Sequence, residues 1–80
     1  MQIKVKINTK EDVYNIHKVA NKQMYDMFIL YEQNTYNSKS LLILYTLIGK
    51  DVEIMAPDYV DPVEFISAVT EMGLGNYGLD

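Results

Sequence analysis

The chain has 80 residues and no cysteine, which admits one small domain and excludes disulfides and thiolate metal sites. Its formal charge of −4 includes seven lysines and no arginine. An acidic chain without the planar guanidinium fork is a poor match for nucleic acid, and no apolar run approaches the ~20 residues of a membrane helix. The hydrophobic fraction of 49% is that of a globular protein rather than a disordered one. Six lysines against four acids give the first forty residues +2, and one lysine against seven acids gives the last forty −6. A partner could read that polarity by electrostatic steering; a solvated surface is the plainer reading.

Met1 to Lys6 alternates apolar and polar residues, a strand pattern rather than a signal peptide, so the expected location is the cytoplasm. Ile3, Val5 and Ile7 form the buried face and Lys4 and Lys6 the wet one. Thr9 stands three residues before Asp12, a capping arrangement that starts a first helix. Val13, Ile16, Ala20 and Met24 follow at helical spacing, with the end expected near Asn21 to Gln23. Tyr25 to Tyr31 reads as a second strand, Glu32 to Thr35 as a polar turn, and Thr35 to Asn37 as a short third strand, hence a hairpin. A second helix begins near Ser38 to Ser40 and runs to about Ile48, where Gly49-Lys50-Asp51 breaks it.

Val52, Ile54 and Ala56 alternate with Glu53 and Met55 in a fourth strand closed by Pro57. Asp61-Pro62-Val63-Glu64 is a strong helix start, with Asp as cap and Pro at the first helical position. Phe65, Ile66, Val69 and Met72 form the buried face of the last helix, and Gly73 ends it. Residues 1–75 are read as one domain and 76–80 as a flexible tail. The order strand, helix, strand, strand, helix, strand, helix predicts an α+β fold: a two-layer open-faced sandwich, with three helices on one face of a four-stranded antiparallel sheet. A ferredoxin-like ligand- or subunit-binding domain has a similar order up to the fourth strand.

The hairpin followed by Asn37-Ser38-Lys39-Ser40-Leu41-Leu42 resembles the segment of the HPr family in which a Lys-Ser pair opens the second helix. Val52-Glu53-Ile54 is similar to that family's fourth strand, and Met72-Gly73-Leu74-Gly75 to its C-terminus. HPr proteins are the small phosphocarriers of the bacterial sugar phosphotransferase system. The resemblance spans nearly the whole chain and implies the strand order 1-4-2-3. Family phosphocarriers carry a catalytic His, followed closely by Arg and Pro, in the loop between the first strand and first helix. Here Asn8-Thr9-Lys10-Glu11-Asp12 runs through a shorter loop into the helix with none of the three. The chain looks most like the short HPr-like proteins of some Gram-positive bacteria that lack this His.

No complete catalytic set stands in the chain, so enzymatic activity and a cofactor are not expected. His17 is the only histidine; it falls inside the first helix beside Ile16, where a structural role outweighs phosphoryl transfer. Ser40, Ser38 or Asn37 caps the second helix on the plain reading. The resemblance adds Ser40 as the site of a regulatory serine kinase, where phosphate faces the helix dipole favourably.

At helical spacing Leu44 and Leu47 face the sheet, while Leu41, Leu42 and Tyr45 share the other side. In the family the matching positions dock partner proteins, so Lys39, Ser40, Leu41, Leu42 and Tyr45 are the expected partner-binding residues. Deeper burial of this helix, or a homodimer, would explain the same residues. Tyr14, Tyr25, Tyr31 and Tyr36 are expected along the sheet and its edges. Glu53, Asp58, Asp61 and Glu64 crowd one region, yet capping claims Asp61 and Glu64, and no metal site is expected. The sequence thus points to a non-catalytic regulatory or adaptor protein with protein partners, and an active phosphocarrier is the alternative.

Overall fold

In the computed structural model, residues 1–74 are described with their side chains and 77–79 by their backbone. Strand β1 (Gln2–Lys6) leads to helix α1 (Lys10–Lys22), then β2 (Phe28–Tyr31), β3 (Asn34–Asn37), α2 (Leu41–Thr46), β4 (Asp51–Met55), α3 (Pro62–Glu71) and β5 (Tyr77–Leu79). The sheet order is β3-β2-β4-β1-β5, antiparallel throughout. Its first four strands give the expected order 1-4-2-3. β4 lies between β1 and β2, an order the ferredoxin-like arrangement does not have.

The alternation in each strand decides which face is buried, because successive side chains point to opposite sides. Ile3, Val5, Ile29, Val52 and Ile54 are buried beneath the helices. Val13, Ile16, Val19 and Ala20 from α1, Leu44 and Leu47 from the α2 region, and Phe65, Ala68, Val69 and Met72 from α3 meet them in one core. The opposite face carries Lys4 against Glu53 and Lys6 against Asp51 in register, cross-strand pairs of opposite charge.

The structure departs from the pattern in the sequence at several positions. Met24 lies beyond the last turn of α1, whose C-cap is Gln23, and is exposed rather than on the apolar face. Tyr25 is buried ahead of β2, not within it, and Tyr14 is an exposed α1 residue, not a sheet residue. α2 has only six residues, since Leu47 has left helical geometry and Gly49 turns the chain with φ 89°.

At the C-terminus, Tyr77–Leu79 pair with β1, Val5 against Tyr77 and Ile3 against Leu79, where the sequence suggested a loose tail. The edge of β1 supplies unpaired backbone groups that a returning chain satisfies. Gly73, at φ 68°, makes the left-handed turn that ends the helix. Asn76 and Asp80, the rest of that tail, and Gly75 before it lie outside the described residues. No helix among the described residues is long and apolar enough to cross a membrane.

Candidate functional site

The β1–α1 junction is closed by its own side chains. Thr9 Oγ1 accepts the Asp12 N–H at 3.1 Å, and Asp12 Oδ2 accepts the N–H groups of Asn8 at 2.9 Å and Thr9 at 3.2 Å. This reciprocal box satisfies donors that a free helix start would leave for an anion. Glu11 and Asp12 add negative charge in the first turn, which favours the helix dipole and disfavours phosphate. The junction is also pinned from behind: Gly49 N–H donates to the Ile7 carbonyl at 2.6 Å, and Ile7 N–H to the Lys50 carbonyl at 3.2 Å. The turn after α2 therefore sits against the end of β1.

His17 is half-buried in the middle of α1. Asn21, one turn on, donates its amide to the His17 carbonyl at 2.8 Å and lies 3.2 Å from ring Nε2. The ring is thus engaged by its own helix, far from the N-terminal N–H groups that could hold phosphoryl oxygens. Among the described residues no group of three or more His, Asp or Glu could hold a metal ion.

At the start of α2, Asn37 Oδ1 accepts the Lys39 N–H at 2.8 Å and its carbonyl accepts the Ser40 N–H at 3.0 Å. That turn aims the chain into the helix, with Asn37 closing an Asx turn ahead of the N-cap. Ser40 occupies the N-cap position without a side-chain cap bond and is half-buried. Ser38 is different: it is fully buried, its N–H donates to Met27, and its Oγ has no partner. Only Ser40 of the two serines offers a hydroxyl near the surface. Lys39 Nζ stands 3.7 Å from Asp26, which ties the α2 entrance to the lead-in of β2.

The expected partner-binding residues are brought to one place but not to one environment. Leu42 is 81% exposed and Tyr45, three residues on, 41% exposed. Leu41 is half-buried and packs on the core instead of sharing that open side. Leu44 and Leu47 are buried, as the spacing requires. Burial of Ser38 has no signal in the sequence, because a serine before a helix reads as a cap.

Two tyrosines have altered acidities. Burial, reinforced by the Glu64 charge, pushes the Tyr25 phenol up, and its hydroxyl has no partner. Hydrogen bonding with Glu32 raises the pKa of the Tyr31 phenol, with smaller contributions from desolvation and the charges of Glu32 and Tyr36.

Comparison with known proteins places this geometry. The chain superposes on the phosphocarrier protein HPr of Bacillus anthracis str. Ames with a TM-score of 0.65, at 19% identity, covering 89% of this chain and 94% of that one. It superposes on HPr-C-His of Thermoanaerobacter tengcongensis with a TM-score of 0.68, at 18% identity, covering 95% and 99%. No family model and no curated protein matches the chain. The fold is HPr-like.

Proposed function

We propose that this protein is a non-catalytic regulatory or adaptor relative of the phosphotransferase-system phosphocarriers, which binds a protein partner through α2. The observation that carries the reading is Leu42, four-fifths exposed in the first turn of α2 with Tyr45 beside it on the same side. Leu42 and Tyr45 form a joint apolar patch on the open side of a helix whose Leu44 is buried and whose Leu41 packs on the core, and contiguous exposed apolar surface marks an interaction site. The capping box argues against phosphoryl transfer at the β1–α1 junction, because Asp12 and Thr9 already engage its amides. His17 in mid-helix has no amide cradle to replace it.

Ser40 is the proposed point of control. A kinase reaches its hydroxyl more easily than the fully buried one of Ser38. Phosphate there adds about two negative charges two residues before Leu42, changing what the patch can meet. Lys39 on the other flank belongs to the same surface.

The test is a binding titration with two candidate partners, enzyme I of the phosphotransferase system and an HPr serine kinase. The native chain is compared with Leu42→Asp, whose fold is checked by circular dichroism. Binding of the native chain and its loss in a folded Leu42→Asp variant supports the reading. Equal binding by both chains removes α2 from it. Phosphoenolpyruvate with enzyme I should leave His17 unlabelled; acid-labile phosphate on that ring would establish the phosphocarrier alternative.

A further inference from the structure

A second surface lies at the end of the sheet where β1 and β2 begin and β4 ends. The register puts Gln2 and Phe28 on either side of Met55, and Ala56 N–H donates to the Met1 carbonyl at 3.2 Å. The α1–β2 and β4–α3 junctions therefore meet there, and the Glu64 carboxylate at the start of α3 acts on the Tyr25 phenol across them. Three large apolar side chains stand in water on these junctions: Met24 is fully exposed, Tyr59 79% and Val63 71%. Asp58, Asp61 and Glu64 are exposed among them. No lysine or arginine follows Lys50 anywhere in the chain; Lys22, two residues before Met24, is paired with Glu71, and Lys39 faces Asp26 at 3.7 Å.

Scattered single hydrophobics on a surface need no explanation, but three on adjoining segments with three exposed carboxylates among them form an interaction surface. We propose that this end docks a basic protein segment that carries apolar anchors. Met24 offers a pliant thioether surface and Tyr59 a rigid ring, the side chains that accept apolar anchors. The three carboxylates select Lys- and Arg-bearing partners and steer their approach. A second copy related by a two-fold axis would set these carboxylates against their own images. An anionic membrane surface would be repelled by the same charges. This surface is separate from Leu42 and Tyr45, so the protein would join two partners rather than cover one.

The test uses a synthetic lysine–leucine amphipathic peptide, its glutamate–leucine counterpart and oligolysine, each titrated into the isotope-labelled full chain and followed by amide chemical shifts. The expected result is saturable shifts centred on residues 24–26 and 58–64 with the lysine–leucine peptide, weakening as salt rises. Tyr59→Ala and Val63→Ala should each weaken binding about fivefold or more, with unchanged spectra elsewhere, while Leu42→Asp leaves it intact. Shifts confined to residues 39–46, equal binding of the acidic peptide, or equal binding of oligolysine would each overturn the proposal. So would concentration-dependent shifts at this end without any peptide, which would mark a contact between copies. Loss of α2 binding in the partner titrations leaves this outcome unaffected, because the two surfaces are read at different amides.

Discussion

At the scale of single residues, two positions hold polar or backbone groups at a cost. Tyr25 buries a hydroxyl that finds no partner, and an unsatisfied buried hydroxyl costs about 1–3 kcal/mol. Tyr25→Phe keeps the ring and deletes the orphan, so thermal or urea unfolding should show a gain of about 1 kcal/mol. The raised pKa of the Tyr25 phenol adds a pH signature. Above the ordinary value of 10.0 the unfolded chain loses the phenolic proton while the folded chain keeps it. The folded state then binds more protons, and stability falls as pH rises through that region. Tyr25→Phe should flatten this alkaline decline; an unchanged slope would assign it to other groups.

The second costly position is the hairpin tip. The register Tyr31 to Asn34 leaves Glu32 and Gln33 as a two-residue loop with φ of 54° and 86°. This geometry suits Asn-Gly, and side chains other than Gly pay for it. Gln33→Gly should stabilise by about 0.5 kcal/mol, the strain relieved less the added freedom of the unfolded chain; urea midpoints measure it. The turn is legible in its polar composition but the strain is not, because Glu-Gln carries none of the usual signals of a positive φ.

At the scale of elements, what was legible followed from local chemistry. Thr9 with Asp12 and Asp61 with Pro62 fixed the starts of α1 and α3, because caps act within four residues. Thr9→Ala or Asp12→Ala should each cost about 1 kcal/mol, and the double variant less than the sum, since both side chains build one box. What was not legible depended on packing between elements. Met24 continues the helical spacing on paper, yet the chain has already left the helix at Gln23. Leu41 looks like a surface partner of Leu42 by spacing, but α2 is short enough for its first residue to tuck onto the core. Within the candidate site, the exposure of Leu42 and Tyr45 was readable from the burial of Leu44 and Leu47. The exposure of Tyr59 was not, because no periodicity runs through 57–61. The contrast within α2 gives a direct check. Leu42→Asp should leave stability within about 0.5 kcal/mol, as for other surface changes, whereas Leu44→Ala should cost about 2–5 kcal/mol.

At the scale of the whole molecule, the sheet has two unequal edges. β3 ends it on one side with four residues that are mostly exposed and uncharged. On the other, β1 is covered by β5, three residues joined to α3 through a segment that includes two glycines. So short a strand, with Gly78 at its centre, contributes little packing of its own. β1 also keeps its full pairing to β4 without it. A chain ending at Leu74 should therefore fold with the same secondary structure. Its newly opened edge carries Lys4 and Lys6, charges of the kind that guard natural edges against pairing with another chain. Sedimentation of the truncated protein should show a monomer, and the same truncation with Lys4→Ile and Lys6→Ile should associate. If the simple truncation unfolds instead, β5 is part of the cooperative core rather than a cover on its edge, and the domain extends to the end of the chain.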